Sequence, residues 1–327
     1  MRFLIAGAGA IGGYLGACLA RAGQDVTLFA RGPHLRAMEE RGLAVLSAGG
    51  DFRVHPKVTG DLAQADPADV IVLGVKAHSL TQLAPRLQPL IGADTTVVST
   101  QNGIPWWYFQ AGSRLPELRL ERVDPGGIIG AAIDPAHVAG SIVYFATEIA
   151  EPGVIRHIEG NRISLGEPDG SRSPRCRAIA EVLIQAGLRC PVTTHIRQEI
   201  WVKLLGNVAF NPISALTRGT LAGMARDPGV RNIVRCIMTE VEAVANQLGV
   251  EIPISIEQRI AGAEKMGEHK TSMLQDLEAG RPLELEAVVG AVVELGERLG
   301  IAMPHTRTVY ACARFLEAAG GSRKATV

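Results

Sequence analysis

Residues 3–12 read Phe3-Leu4-Ile5-Ala6-Gly7-Ala8-Gly9-Ala10-Ile11-Gly12. The short apolar run at 3–6 fits a buried strand, and the helical composition of 10–22, stopped by Gly23, fits a helix. The glycines fall on the turn between them, where each has its own task in holding a dinucleotide. Gly7 permits the tight turn, Gly9 lets backbone approach a pyrophosphate, and Gly12 lets helix pack closely on strand. Ala10 and Ile11 open the helix whose N-terminus faces the phosphates. The same glycines, with Gly13, argue against reading the apolar start and Leu15-Gly16-Ala17-Cys18 as a lipoprotein signal, because they interrupt the helix such a signal forms.

A second apolar run at 26–30 completes a strand–helix–strand unit. The runs at 70–75 and 96–99 have the continuous apolar character of parallel strands covered on both faces. Helical, Leu- and Ala-rich text lies between them, so the packing solution is a Rossmann-type doubly wound sheet. From about 124 to 165 the text changes to β-type runs at 141–149, 154–157 and 162–165 separated by turn residues, which predicts an antiparallel extension of the sheet. A helix at 175–186 and a last short strand around 188–192 close this part. Helical periodicity then dominates, at 196–210, 232–248, 255–266, 284–299 and 306–319. The expectation is an α/β chain with a dinucleotide-binding domain at 1–194 and an all-α second domain at 195–327.

The 327 residues suffice for two cores, and 33 basic against 33 acidic residues leave no global field to attract nucleic acid or an anionic membrane. An anionic substrate must therefore be held by a local site. Cys18, Cys176, Cys190, Cys236 and Cys312 have neither metal-ligand nor redox-pair spacing; they read as buried small hydrophobes in a reducing, cytoplasmic setting. The histidines show no ligand spacing either, so no metal is expected.

The second strand ends Phe29-Ala30-Arg31, with no carboxylate to bond ribose hydroxyls. Arg31 fits a 2′-phosphate, which favours NADPH over NADH, although a solvated surface arginine is the other reading. The third strand ends on Lys76, readable as a cofactor contact or as solvated charge. The fourth ends on Gln101-Asn102-Gly103, readable as a polar site or as a simple turn. Further on, Trp201-Val202-Lys203-Leu204-Leu205-Gly206-Asn207-Val208-Ala209-Phe210-Asn211-Pro212 places Lys203, Asn207 and Asn211 at four-residue intervals, on one slowly drifting helical face. Pro212 predicts a kink that could turn Asn211 towards a cleft. Alone, Lys203 could be a snorkelling lysine.

This helix resembles the corresponding text of ketopantoate reductases, as does Thr271-Ser272-Met273-Leu274-Gln275-Asp276-Leu277-Glu278-Ala279-Gly280-Arg281 followed by Glu284. The resemblance spans essentially the whole chain. It implies that Lys203 is the catalytic general acid and that Glu284 is a catalytic partner in the cleft that helps position substrate or cofactor. It further implies that Asn207 and Asn211 bond the substrate's polar groups, that Ser272 bonds its carboxylate, that Asn102 also binds substrate, and that Asn102, Lys76 and Arg31 contact the cofactor NADPH. The partner implied is a small 2-oxo acid, 2-dehydropantoate by family default, and a homodimer is left open. His269 and Leu221 depart from the family pattern, standing where asparagines are usual. A same-fold reductase of another 2-oxo acid or imine is thus the nearer alternative, and a non-enzymatic NADPH sensor the more distant one.

The chemistry is consistent with these residue types. Adding hydride to a ketone creates an alkoxide that needs a proton or a fixed positive charge, and Lys203 supplies either. Burial would lower its pKa and Glu284 would raise it, so the net direction stays open at this point.

Overall fold

Of the short strands that the apolar runs of the first hundred residues form, Val70–Leu73 and Thr96–Ser99 are buried along their whole length. A computed structural model describes residues 1–110, 113 and 115–322. The strands are β1 (Arg2–Ala6), β2 (Asp25–Phe29), β3 (Leu43–Leu46), β4 (Phe52–Val54), β5 (Lys57–Thr59), β6 (Val70–Leu73), β7 (Thr96–Ser99), β8 (Val138–Glu151) and β9 (Val154–Gly166). They form one sheet in the order β4-β3-β9-β8-β7-β6-β1-β2-β5. The stretch from β8 to β5 is parallel throughout, while β8 and β9 pair antiparallel. The strand order reverses at β1, which lies between β2 and β6, and such a switch point is where open α/β sheets bind their ligands. Register aligns the ends, with Ala6 opposite both Phe29 and Leu73, and Leu73 opposite Ser99. Gly7, Ala30 and Gly74 therefore leave the sheet along one edge.

The helices are α1 (Ala10–Arg21), α2 (Gly32–Arg41), α3 (Leu80–Leu87), α4 (Ile128–Ala132), α5 (Pro174–Gln185), α6 (Ile196–Thr217), α7 (Leu221–Arg226), α8 (Pro228–Gln247), α9 (Ile256–Lys265), α10 (Ser272–Glu278), α11 (Ala291–Arg298) and α12 (Pro304–Ser322), with a π-helical turn at Glu286–Gly290. Local chemistry sets several ends. Asp227 caps α8 ahead of Pro228, and Ser255 and Gln258 form a reciprocal capping box on α9.

Two units emerge. One comprises Met1–Gln101, Pro105–Arg119 and Gly126–Ile196; the other comprises Asn102–Ile104, Leu120–Pro125 and the chain from Arg197 onward. Residues 323–327 of the expected second domain lie outside the described residues. The first unit buries Phe3, Ile5, Leu19, Leu28, Val72 and Ile163 under α1 and α5. In the helical unit Trp201, Leu205, Val208, Val241 and Val292 are fully buried, which is the stripe that 3.6-residue periodicity marks.

The structure corrects four expectations. The short β3, β4 and β5 went unanticipated. Residues 188–192 form no named strand and make only isolated bridges from Arg189 to Arg162 and from Val192 to Leu165, since Pro191 has no N–H to donate. Helix α6 runs through Pro212 to Thr217 rather than ending at 210, and Asn211 is buried within it. Of the five cysteines, Cys18, Cys176 and Cys190 are buried, but Cys236 is half-buried and Cys312 exposed. Among the described residues no helix is long and apolar enough to cross a membrane.

Candidate active site

In the sheet unit, the turn after β1 is built as its glycines suggest. Gly7 has φ of +113°, and a side chain there would also meet the Val75 backbone nitrogen at 2.8 Å. A Cβ on Gly12 would overlap the Gly7 carbonyl oxygen, so the close helix–strand approach excludes any side chain. A Cβ on Gly9 would meet nothing nearer than the Gly74 carbonyl oxygen at 3.9 Å. That open space lies at the N-terminus of α1, which has no side-chain cap and no acidic residue in its first turn. Ala10 and Ile11 follow as its first helical residues. The arrangement fits a dinucleotide pyrophosphate: donors on a helix dipole, with room for the ligand.

Around this turn, Ala8 N–H donates to Phe29 O at 2.8 Å, tying the glycine turn to the end of β2. Arg31 is exposed and opens α2, with no carboxylate at the strand end. Lys76 is half-buried and precedes a short 3-10 turn. Gln101 Nε2 donates to Leu73 O at 2.7 Å and Val75 O at 2.9 Å, clamping the loop that carries Lys76. Gly74 escaped the sequence reading. A Cβ there would come within 2.9 Å of the Gly12 Cα, so the loop after β6 closes on the glycine turn. A lone glycine at a strand end was the available signal.

The helical unit gathers a different set. Lys203, Asn207 and Asn211 lie along α6. The Lys203 ammonium is lowered to about 8, first by burial and also by the nearby Arg259 charge, while Glu284 acts to raise it. Asn102 Nδ2 donates to Glu284 Oε2 at 3.2 Å. Asn102 in turn is fixed by its neighbours. Gly103 takes φ of +95°, and Ile104 N–H donates to Ala287 O at 3.1 Å, inside the π-helical turn that follows Glu284. Lys203, Glu284 and Asn102 are thereby brought into one electrostatic group. Such π turns recur at functional sites, and sequence periodicity gives no sign of them.

Ser272 is the exposed first residue of α10, whose cap is Thr271. The two positions that depart from the family pattern meet through the backbone, Leu221 N–H donating to His269 O at 3.0 Å. Arg259, on α9, was not anticipated. A Cβ on Gly206 would lie 2.6 Å from its Nε and 2.7 Å from its Cζ, so the guanidinium rests on the α6 backbone between Lys203 and Asn207. Trp106 and Trp107 are buried in the sheet unit as packing aromatics.

Comparison with known proteins fits both halves. The family described as ketopantoate reductase PanE/ApbA matches residues 3–170, and its C-terminal counterpart matches residues 195–317. The chain belongs to the ketopantoate reductase family. A 2-dehydropantoate 2-reductase of Mesorhizobium japonicum is 49% identical over 318 residues, covering 97% of this chain and 98% of the relative. A solved structure from Ralstonia solanacearum MolK2, which carries a provisional ketopantoate reductase name, superposes with a TM-score of 0.94 at 40% identity, covering 98% of each chain. The 2-dehydropantoate 2-reductase of Methylococcus capsulatus superposes at 0.82 with 30% identity, again over 98% of each chain. For a ketopantoate reductase, the boundary between the two family matches falls where the sheet gives way to helices.

Proposed function

We propose that this chain reduces 2-dehydropantoate to pantoate with NADPH, using residues 1–194 to bind the cofactor and residues 195–327 to bind substrate and supply the proton. The observation that carries this reading is the desolvated Lys203 ammonium beside Glu284, itself bonded by Asn102. NADPH, when bound, supplies the hydride that reduces the keto carbon. Lys203 Nζ gives its proton to the oxygen that becomes the new hydroxyl, and a lysine with pKa near 8 gives up a proton more readily than an exposed one. Glu284 holds the ammonium in place and keeps it protonated at neutral pH. Asn207, Asn211 and Ser272 offer amide and hydroxyl groups to the substrate's oxygens, and Asn102 serves both substrate and nicotinamide.

On the cofactor side, the glycine turn with Ala10 and Ile11 receives the pyrophosphate, Arg31 pairs with the 2′-phosphate, and Lys76 adds charge at the same strand edge. Three buried free thiols suit a reducing cytoplasm. The substrate is tested by following NADPH oxidation with 2-dehydropantoate and a panel of small 2-oxo acids. The reading requires kcat/KM for 2-dehydropantoate to exceed that for the others by at least tenfold; a flat profile, or preference for another acid, would overturn it.

A further inference from the structure

A glycine in the middle of a long helix needs a reason, because it costs about 0.5–1 kcal/mol relative to alanine. Gly206 sits ten residues into α6 with ordinary helical angles, so backbone freedom is not that reason. Space is. The Arg259 guanidinium occupies the volume a side chain would fill, with its Nε and Cζ within 2.7 Å of where a Cβ would stand.

The rest of α9 makes this placement specific. Its carboxylates Glu257 and Glu264 are engaged by arginines of α7 and α8, namely Arg226, Arg231 and Arg235. Arg259 instead reaches α6, three residues beyond Lys203 and one before Asn207. Residues three apart on a helix have Cβ atoms about 5–6 Å apart, so a guanidinium standing at the Gly206 Cβ position lies beside the root of the Lys203 side chain, near enough for its charge to act on the ammonium. In a 2-oxo acid the carboxylate carbon is bonded directly to the keto carbon, so whatever grips the carboxylate must lie within that reach of the group that protonates the ketone. A guanidinium is a planar fork that matches a carboxylate in two hydrogen bonds.

We propose that Arg259, seated against Gly206, selects the substrate by its carboxylate while Lys203 protonates the adjacent keto oxygen. This rests on the assignment of Lys203 as the proton donor. It makes Gly206 a specificity residue as well, since it provides the slot in which the fork lies flat. The proximity of a second cation also contributes to the depressed Lys203 pKa, so one arginine both anchors the substrate and tunes the donor.

The test compares kcat/KM for 2-dehydropantoate with that for its neutral primary amide, in wild type, Arg259→Gln and Gly206→Ala. Taking this ratio cancels any change in Lys203 itself, because the donor acts on both substrates. Wild type should prefer the acid, and Arg259→Gln should cut that preference by about tenfold to a hundredfold, the worth of a charged hydrogen-bonded pair. Gly206→Ala should cut it too, by displacing the fork, while the melting temperature stays level or rises because alanine favours the helix. An unchanged acid-to-amide ratio in either folded variant would overturn the role of Arg259. Failure of wild type to reduce the acid at all would instead overturn the functional reading beneath it.

Discussion

Gly9 and Gly12 stand three residues apart in one motif, yet they should fail differently when each is replaced by alanine. Gly9→Ala finds open space in the protein itself and should melt at the wild-type temperature, but its methyl group enters the room a pyrophosphate needs, so NADPH affinity should fall by at least about tenfold. Gly12→Ala overlaps the Gly7 carbonyl and should lower stability outright, by about 1–3 kcal/mol. Calorimetry and cofactor titration on the two variants check the distinction. Arg31→Ala should weaken NADPH far more than NADH, and equal losses would contradict a 2′-phosphate role. These residues were legible because the fingerprint is local: three glycines, a strand end and the missing acid all lie within thirty positions. For Lys203, Asn207 and Asn211, spacing by four fixes a shared helical face whatever surrounds it, while the roles proposed for them came from the family resemblance. Gly74 and Arg259 were not legible, because each matters only through a contact with a residue far along the chain.

At the scale of elements, the π-helical turn at Glu286–Gly290 is the feature that periodicity could not reveal, as its apolar residues fit an ordinary helix equally well. It presents Ala287 O to Ile104 N–H and so carries the segment that points Asn102 at Glu284. Gly103→Ala would be strained at φ of +95° and would press on the Ala287 carbonyl. It should lower kcat about tenfold or more, and because Asn102 is also assigned to the nicotinamide it should raise the NADPH dissociation constant as well, as measured by pre-steady-state turnover and fluorescence titration. Helix α6 gives the opposite lesson. Proline predicted an interruption, but burial of Asn211, Ser214 and Ala215 on both sides of Pro212 holds the helix through it. The strands β3, β4 and β5 are three or four residues long, too short for alternation to register, and tertiary pairing with β9 and β2 defines them.

For the whole molecule, acid stability depends on a carboxylate clamp in each unit. In the sheet unit, burial would raise the Glu167 pKa, but hydrogen bonds from Arg175 and Ser173 more than offset this and hold it below the usual carboxylate range. Arg175 donates to it at 2.7 and 2.6 Å and also to Val138 O, joining the end of β9 to α5 and the start of β8. In the helical unit, Glu240 accepts from the backbone N–H groups of His305 and Thr306 at the start of α12, and its pKa is likewise lowered despite burial. For an acid depressed on folding, the stabilisation is fully present above the unfolded carboxylate value and is lost as pH falls through the folded one. Glu167→Gln should cost about 2 kcal/mol at pH 7, reduced from the value of a fully buried pair because Arg175 is partly exposed, and the deficit should shrink below pH 4 in urea unfolding. The reaction itself runs on the opposite logic, for Lys203 donates only while protonated. The rate of ketone reduction should therefore hold below pH 8 and decline above it. The most direct test is single-turnover reduction of 2-dehydropantoate by Lys203→Ala at pH 7, read beside its NADPH dissociation constant. The account predicts at least a hundredfold slower hydride transfer with cofactor affinity intact; turnover at the wild-type rate would contradict it.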